Sequence, residues 1–313
     1  MSKFQSTFGF LLAGILTLGF IACKEEPVEP DPEPQSIAQI AAGDSQFSTL
    51  VAALERVNLV SVLDNPGNFT VFAPTNAAFQ ALGVDLSTLS DEALSEILLY
   101  HVLGGKVAST DLQTGQTYAT TAAETGPGNT QLSILIEKDA SGNVTINGSA
   151  KVTTADVEAT NGVIHIVDGV LLPLDIVGHA AANSNFTELV GALGVANGDL
   201  VTTLQGDGPW TVFAPLNSAF ESIASTVATL DADQLASVLT YHVVAGANVV
   251  SGDLTDGMTV KTVQGEEFTV NIDGANVTIT DANGNTANVV LTNVQATNGV
   301  IHVLDTVILP VNL

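Results

Sequence analysis

The chain has 313 residues, which suggests about two domains. Its apolar residue classes reach 46%, enough for packed cores, while acids outnumber bases 33 to 7 for a net charge of −26, excluding the clustered Lys and Arg of a nucleic-acid footprint or of a basic membrane patch. The single cysteine rules out an intrachain disulfide and any cysteine-built zinc or iron–sulfur site.

Residues 1–22 read as a signal peptide. Lys3 gives a basic start, and Phe8 to Ala22 forms an apolar run broken only by Gly and Thr. At about 15 residues the run has signal-core length and is short for a bilayer span. It ends at Ala22-Cys23, and this junction resembles the lipobox of bacterial lipoproteins, with Phe20 where Leu is usual. Cys23 is therefore the expected lipidation site, the alternative being an ordinary secretory signal with a chance cysteine. Acyl chains there would anchor the protein to the membrane at about 0.8 kcal/mol per buried CH₂. Residues 23–35 form the tether, and residues 24–35 of it carry four prolines and five acids. Such a segment is an extended, self-repelling spacer of at most roughly 37 Å. Lys24-Glu25-Glu26 resembles an export signal to the outer cell face, and reads equally well as a solvated start of the tether.

The remainder is one unit written twice. FTVFAPTNAAF at 69–79 returns as WTVFAPLNSAF at 210–220, and LLYHVL at 98–103 as LTYHVV at 239–244. ATNGVIHIVDGVLLP at 159–173 returns as ATNGVIHVLDTVILP at 296–310. The same order at nearly equal spacing means tandem duplication, with domains at 36–173 and 174–313. Each copy opens on a helix whose apolar residues lie on one face: Phe47, Leu50, Val51 and Leu54, then Phe186, Leu189, Val190 and Leu193. A short strand, 69–72 in the first copy, ends at Ala-Pro, and Thr75 is placed to cap the next helix. In the second copy Leu216 replaces that Thr, so the cap must come from Asn217 or be lost. A further helix follows Ser90, with a capping-box start at Asp231 and Gln234 in the second copy. Turns at Asp139-Ala-Ser-Gly, Asn147-Gly, Asp273-Gly and Asp281-Ala-Asn-Gly separate alternating Val, Ile and Thr and read as hairpins. The closing segments VIHIV and VIHVL are continuously apolar and read as strands buried on both faces. Helices first and strands after define an α+β class.

The three blocks, in order and twice, resemble the fasciclin-like domain family. The resemblance covers 36–313 and implies two tandem domains, each a small twisted β-sandwich or wedge flanked by helices. It also implies adhesion rather than catalysis, with no cofactor: an extracellular, membrane-anchored module that binds protein, matrix or glycan ligands. In animal relatives the Tyr-His region is implicated in integrin contact, which makes Tyr100, His101, Tyr241 and His242 candidate ligand contacts.

Four of the five histidines fall at equivalent places in the two copies. A metal site would need three or four converging ligands, and a nucleophilic site a Ser or Cys beside the His; neither G-x-S-x-G nor H-E-x-x-H occurs. The four repeated histidines, His101, His165, His242 and His302, are therefore read as buried core residues hydrogen-bonded to backbone or to a neighbour such as Asp168 or Asp305, with His165 and His302 structural; for His101 and His242 the ligand contact implied by the resemblance is the alternative. The turns at Asp139 and Asp281 superficially resemble calcium loops, but their Gly falls at the fourth position and no Glu closes them, so neither is read as a metal site. Two functions stay open. One is a lipid-anchored adhesion module on the outer membrane. The other is a structural or accessory component of the envelope or of an outer-membrane uptake complex.

Overall fold

The computed structural model describes residues 33–311. The expected signal peptide, Cys23 and the tether up to residue 32 lie outside the described residues.

The first repeat begins with three helices, α1 (Ile37–Gly43), α2 (Ser48–Arg56) and α3 (Val60–Asp64), followed by strand β1 (Phe69–Pro74) and helices α4 (Asn76–Leu82) and α5 (Asp91–Tyr100). Strands β2 (Val102–Leu103), β3 (Gly115–Thr120), β4 (Ser133–Lys138), β5 (Val144–Ile146), β6 (Ala150–Ala159) and β7 (Gly162–Val167) complete it. The second repeat runs through α6 (Ile176–Ala182), α7 (Thr187–Val195), α8 (Leu200–Gln205), β8 (Trp210–Pro215), α9 (Asn217–Ser222), α10 (Ala224–Val227) and α11 (Ala232–Tyr241). Its strands are β9 (Val243–Ala245), β10 (Met258–Lys261), β11 (Glu267–Asp273), β12 (Asn276–Thr280), β13 (Thr286–Ala296) and β14 (Gly299–Leu304).

Local chemistry sets the helix ends. Ser36 and Gln39 form a reciprocal capping box on α1, Thr75 caps α4, Ser90 caps α5, and Asp231 with Gln234 boxes α11. At α9 the cap is lost: Leu216 offers no acceptor, and the Asn217 carboxamide oxygen is already taken by the Glu188 N–H at 3.0 Å.

Each repeat forms one seven-stranded sheet, in the order β2-β1-β7-β6-β5-β4-β3 and its equivalent β9-β8-β14-β13-β12-β11-β10. β1 pairs in parallel with β7, from Phe69 opposite Gly162 to Pro74 opposite Val167, and β8 pairs with β14 in the same register. These central strands are buried almost throughout, as continuous apolar runs require. They stop at Val167 and Leu304, short of the full apolar segment. The β6–β7 and β13–β14 ladders each slip register twice, and Asp156 and Asn293 sit within those slips in left-handed backbone. Such bulges bend a strand and increase its twist, which folds the sheet into a wedge. Its two ends nearly meet: Leu103 bridges Thr121, and the Ala122 N–H donates to the Val102 carbonyl at 2.8 Å. The α+β class and the helix-flanked wedge agree with the sequence reading.

Two cores follow from this shape. One lies between helices and sheet, around Phe47, Leu50, Leu98 and Ile164 in the first repeat and Phe186, Leu189, Leu239 and Ile301 in the second. The other fills the wedge, around Phe72, Tyr100 and Ile146, and around Phe213, Tyr241 and Phe268. The repeats meet along β3 and β4. Tyr118 packs against the helical core of the second repeat, its hydroxyl accepting from Asn183 Nδ2 at 3.0 Å. The Gln295 N–H donates to Ser133 Oγ at 2.9 Å.

Candidate functional site

The Tyr-His pair closes α5 and α11. The last turn of an amphipathic helix carries Tyr100 into the wedge core, where it is fully buried. Its hydroxyl donates to the Ser133 carbonyl at 2.9 Å and accepts from Asn147 Nδ2 at 3.0 Å. Tyr241 is equally enclosed; its hydroxyl donates to the Glu267 carbonyl at 2.9 Å and accepts from the Ala282 N–H at 3.0 Å. Burial raises both phenol pKa values.

The adjoining histidines are also inside. His101 Nε2 accepts from the Leu171 N–H at 2.9 Å, so the proton sits on Nδ1, which donates to the Ile97 carbonyl at 2.7 Å. His242 repeats this with the Ile308 N–H at 3.2 Å and the Val238 carbonyl at 2.8 Å. Burial lowers each to a pKa of about 4, so both rings are neutral at pH 7. Each ties the end of its helix to the segment after the closing strand. The expectation that Tyr100, His101, Tyr241 and His242 contact a ligand is corrected by this geometry: all four are buried, and their polar atoms are engaged inside the protein.

His165 and His302 lie on β7 and β14. His165 Nδ1 accepts from the Asp156 N–H at 3.2 Å and Nε2 donates to the Val107 carbonyl at 2.9 Å. His302 Nε2 donates to the Val249 carbonyl at 2.8 Å, and its Nδ1 has no partner. Of the two partners expected, backbone or a neighbouring carboxylate, both histidines take backbone, and neither pairs with Asp168 or Asp305. Those carboxylates instead brace the β6–β7 and β13–β14 ladders, accepting from the Lys151 N–H at 2.7 Å and from Asn288 N and Nδ2 at 2.8 and 2.6 Å. A strand histidine faces the loop that the sheet brings across it, and the aspartates lie at the strand ends.

No group of three His, Cys, Asp or Glu side chains able to hold a metal occurs among the described residues. The acidic turns show why. Asp139 accepts from Ser141 N, Asn143 N and Asn143 Nδ2, and Asp281 accepts from Asn283 N, Asn285 N and the Leu309 N–H. Their oxygens close hairpins.

Other motif residues hold the fold as well, and residue-type reasoning missed them. Asn161 Oδ1 accepts from the Ile37 N–H at 2.9 Å while its Nδ2 donates to the Leu63 and Asn65 carbonyls at 2.7 and 2.9 Å. Asn298 makes the same three bonds with Ile176, Leu204 and Gly206. Thr70 and Thr211 each bridge a loop carbonyl and N–H. After Asn161 and Asn298, a Cβ on Gly162 or Gly299 would come within 2.0 or 2.1 Å of a carbonyl oxygen on the parallel partner strand, so only glycine fits there. The signal was the identity of TNG in both copies.

Comparison with known proteins follows the same two segments. The family model described as "Fasciclin domain" matches residues 45–173 and 184–310. Protein sll1483 of Synechocystis is 45% identical over 143 residues, covering 44% of this chain and 73% of its own length. The pig transforming growth factor-beta-induced protein ig-h3 is 32% identical over 260 residues, 79% of this chain, although that region spans only 35% of the pig protein. A solved FAS1 domain pair from the insect cell adhesion molecule fasciclin I aligns at TM-score 0.48 and 20% identity, over 82% of this chain and 91% of the solved one.

Proposed function

Because the chain belongs to the fasciclin domain family, with two tandem copies of the domain, we propose that it is an extracytoplasmic adhesion module, held to the membrane through lipid on Cys23 and binding a protein or glycan ligand outside the cell. The supporting observation is how the repeated signature is used. Tyr100, His101, Asn161, His165 and their second-copy equivalents each make internal hydrogen bonds, which supports a role in holding the fold. Binding then falls to the surfaces in which the copies differ. The Pro-rich acidic tether sets the folded pair off the membrane. The pair is acidic in both halves: residues 174–313 carry 14 acids with Lys261 as the one Lys or Arg, and 36–173 carry 14 acids against four bases. Like-charge repulsion therefore works against polyanionic ligands such as heparin.

The test is a pull-down from intact cells with the tagged full chain. Recovery of an extracellular polymer or of a foreign cell surface supports the adhesion reading. Recovery of a fixed outer-membrane protein complex instead would replace it with an accessory role in the envelope.

A further inference from the structure

The two copies differ sharply at one surface. In the first, the end of α2 carries Arg56, the chain's one arginine. Its guanidinium donates to the Leu86 carbonyl at 2.7 Å and the Leu89 carbonyl at 2.6 Å, and pairs with Asp91 at 2.8 Å. It thereby straps the segment between α4 and α5 down over the helical core, with Leu86 packed beneath. In the second copy the matching residue of α7 is Val195. It is 69% exposed and brings no guanidinium; the end of α7 is held instead by Asn197, whose N–H donates to the Ala232 carbonyl at 3.1 Å and whose Nδ2 donates to Asp233 at 2.7 Å. An open cavity of about 430 Å³ stands there, between α7, α9, α10 and α11. Its floor is Ala192, Phe220 and Leu235, and Glu188 and Glu221 also line it. Neither carboxylate has an ion-pair partner among the described residues.

We propose that this groove of the second domain binds a basic segment of a partner protein, one that presents an aliphatic side chain to the floor and an arginine to Glu188 and Glu221. The first domain supplies the template: there a guanidinium from the chain itself closes the same surface. Charge supplies the rest of the argument. A cation meets two unpaired acids on a half whose bases amount to Lys261. The chain's own tether cannot be the occupant, since its five acids and one lysine would face those glutamates. The proposal names a partner chemistry for the adhesion reading and a surface for it.

The test uses the full chain and a fluorescein-labelled peptide, Leu-Arg-Leu-Leu-Arg, followed by fluorescence anisotropy. Saturable binding is expected, with none for Leu-Glu-Leu-Leu-Glu. The double variant E188Q/E221Q should weaken it about three- to tenfold, the yield of one or two solvent-edge charge pairs. Val195→Arg, at an exposed position that tolerates the change, should fill the groove from within and abolish binding while the melting midpoint holds. Equal affinity for both peptides, unchanged affinity in E188Q/E221Q, or full binding by Val195→Arg would each overturn the proposal. If the peptide fails yet the intact-cell pull-down still recovers an extracellular polymer, the groove is wrong and the adhesion reading stands.

Discussion

Tyr100→Phe removes one oxygen from the middle of the first domain and leaves its surface unchanged. That oxygen joins three parts of the wedge: the end of α5, the Ser133 carbonyl on β4, and Asn147 in the β5–β6 turn. Tyr100 has no exposed surface, so water cannot replace what is lost. One carbonyl and one amide hydrogen are left unpaired, at about 1–3 kcal/mol each when fully desolvated. Partial relaxation puts the total at about 2–4 kcal/mol. With an unfolding entropy near 2.1 cal/mol/K per residue and about 130 residues, that lowers the first domain's midpoint by roughly 7–14 °C. Tyr241→Phe should cost less, because its bond to the Glu267 carbonyl is only partly shielded from water. The assay is differential scanning calorimetry of both variants beside the wild type, with ligand binding measured well below the transition. Binding per folded molecule should be unchanged. A Tyr100→Phe protein that melts like the wild type but binds weakly would refute the reasoning and return the Tyr-His pair to the surface.

Acid should destabilise the protein ahead of general carboxylate protonation. His101, His179 and His242 are buried and neutral, each with a folded pKa near 4 against about 6.5 unfolded, so the unfolded chain takes up protons first. Their contribution is complete above pH 6.5 and is lost as pH falls towards 4, at about 2 kcal/mol per histidine by pH 5; urea midpoints between pH 7.5 and 4.5 that do not move would contradict it. His179 sits where the repeats meet, 5.9 Å from the Tyr118 ring, with neither ring nitrogen in hydrogen-bond geometry, so its protonation should also loosen the contact between domains. Cys23→Ser should shift the protein from the membrane to the soluble fraction or leave the signal uncleaved, read by fractionation and intact mass; normal membrane-bound protein in that variant would end the lipid-anchor proposal. Expressed apart, residues 36–173 and 174–313 should each melt cooperatively, since each holds both of its own cores, and failure of both would contradict independent folding.

Much of the fold was legible because its signals are local. Thr75, Ser90 and Asp231 announce helix starts through side chains that reach only two or three residues ahead. Asp139, Asn147, Asp273 and Asp281 announce hairpins in the same way. What could not be read depends on distant partners. The Val107 carbonyl meets His165 across 58 residues, and Asn161 reaches back 124 residues to Ile37. Nothing near His165 in sequence distinguishes a carbonyl on a far loop from the carboxylate of Asp168. The Tyr-His pair became a candidate contact through the family resemblance alone, while the residues themselves read as core, and closure of the wedge over α5 places them in the interior. The groove was unreadable as well: α2 and α7 keep their apolar face but exchange Thr49 for Glu188 and Arg56 for Val195, and the consequence lies across the fold.

The central claim is that this pair of domains serves by binding at its surface, with its signature residues committed to the interior. The most direct measurement is an array of extracellular proteins and glycans probed with the Cys23→Ser chain, in wild-type form and with Tyr100→Phe and Tyr241→Phe together, below both melting transitions. The account predicts saturable binding to at least one extracellular protein or neutral glycan, equal for the two proteins. Binding to no ligand on the array, or binding that vanishes in the folded double variant, would contradict it.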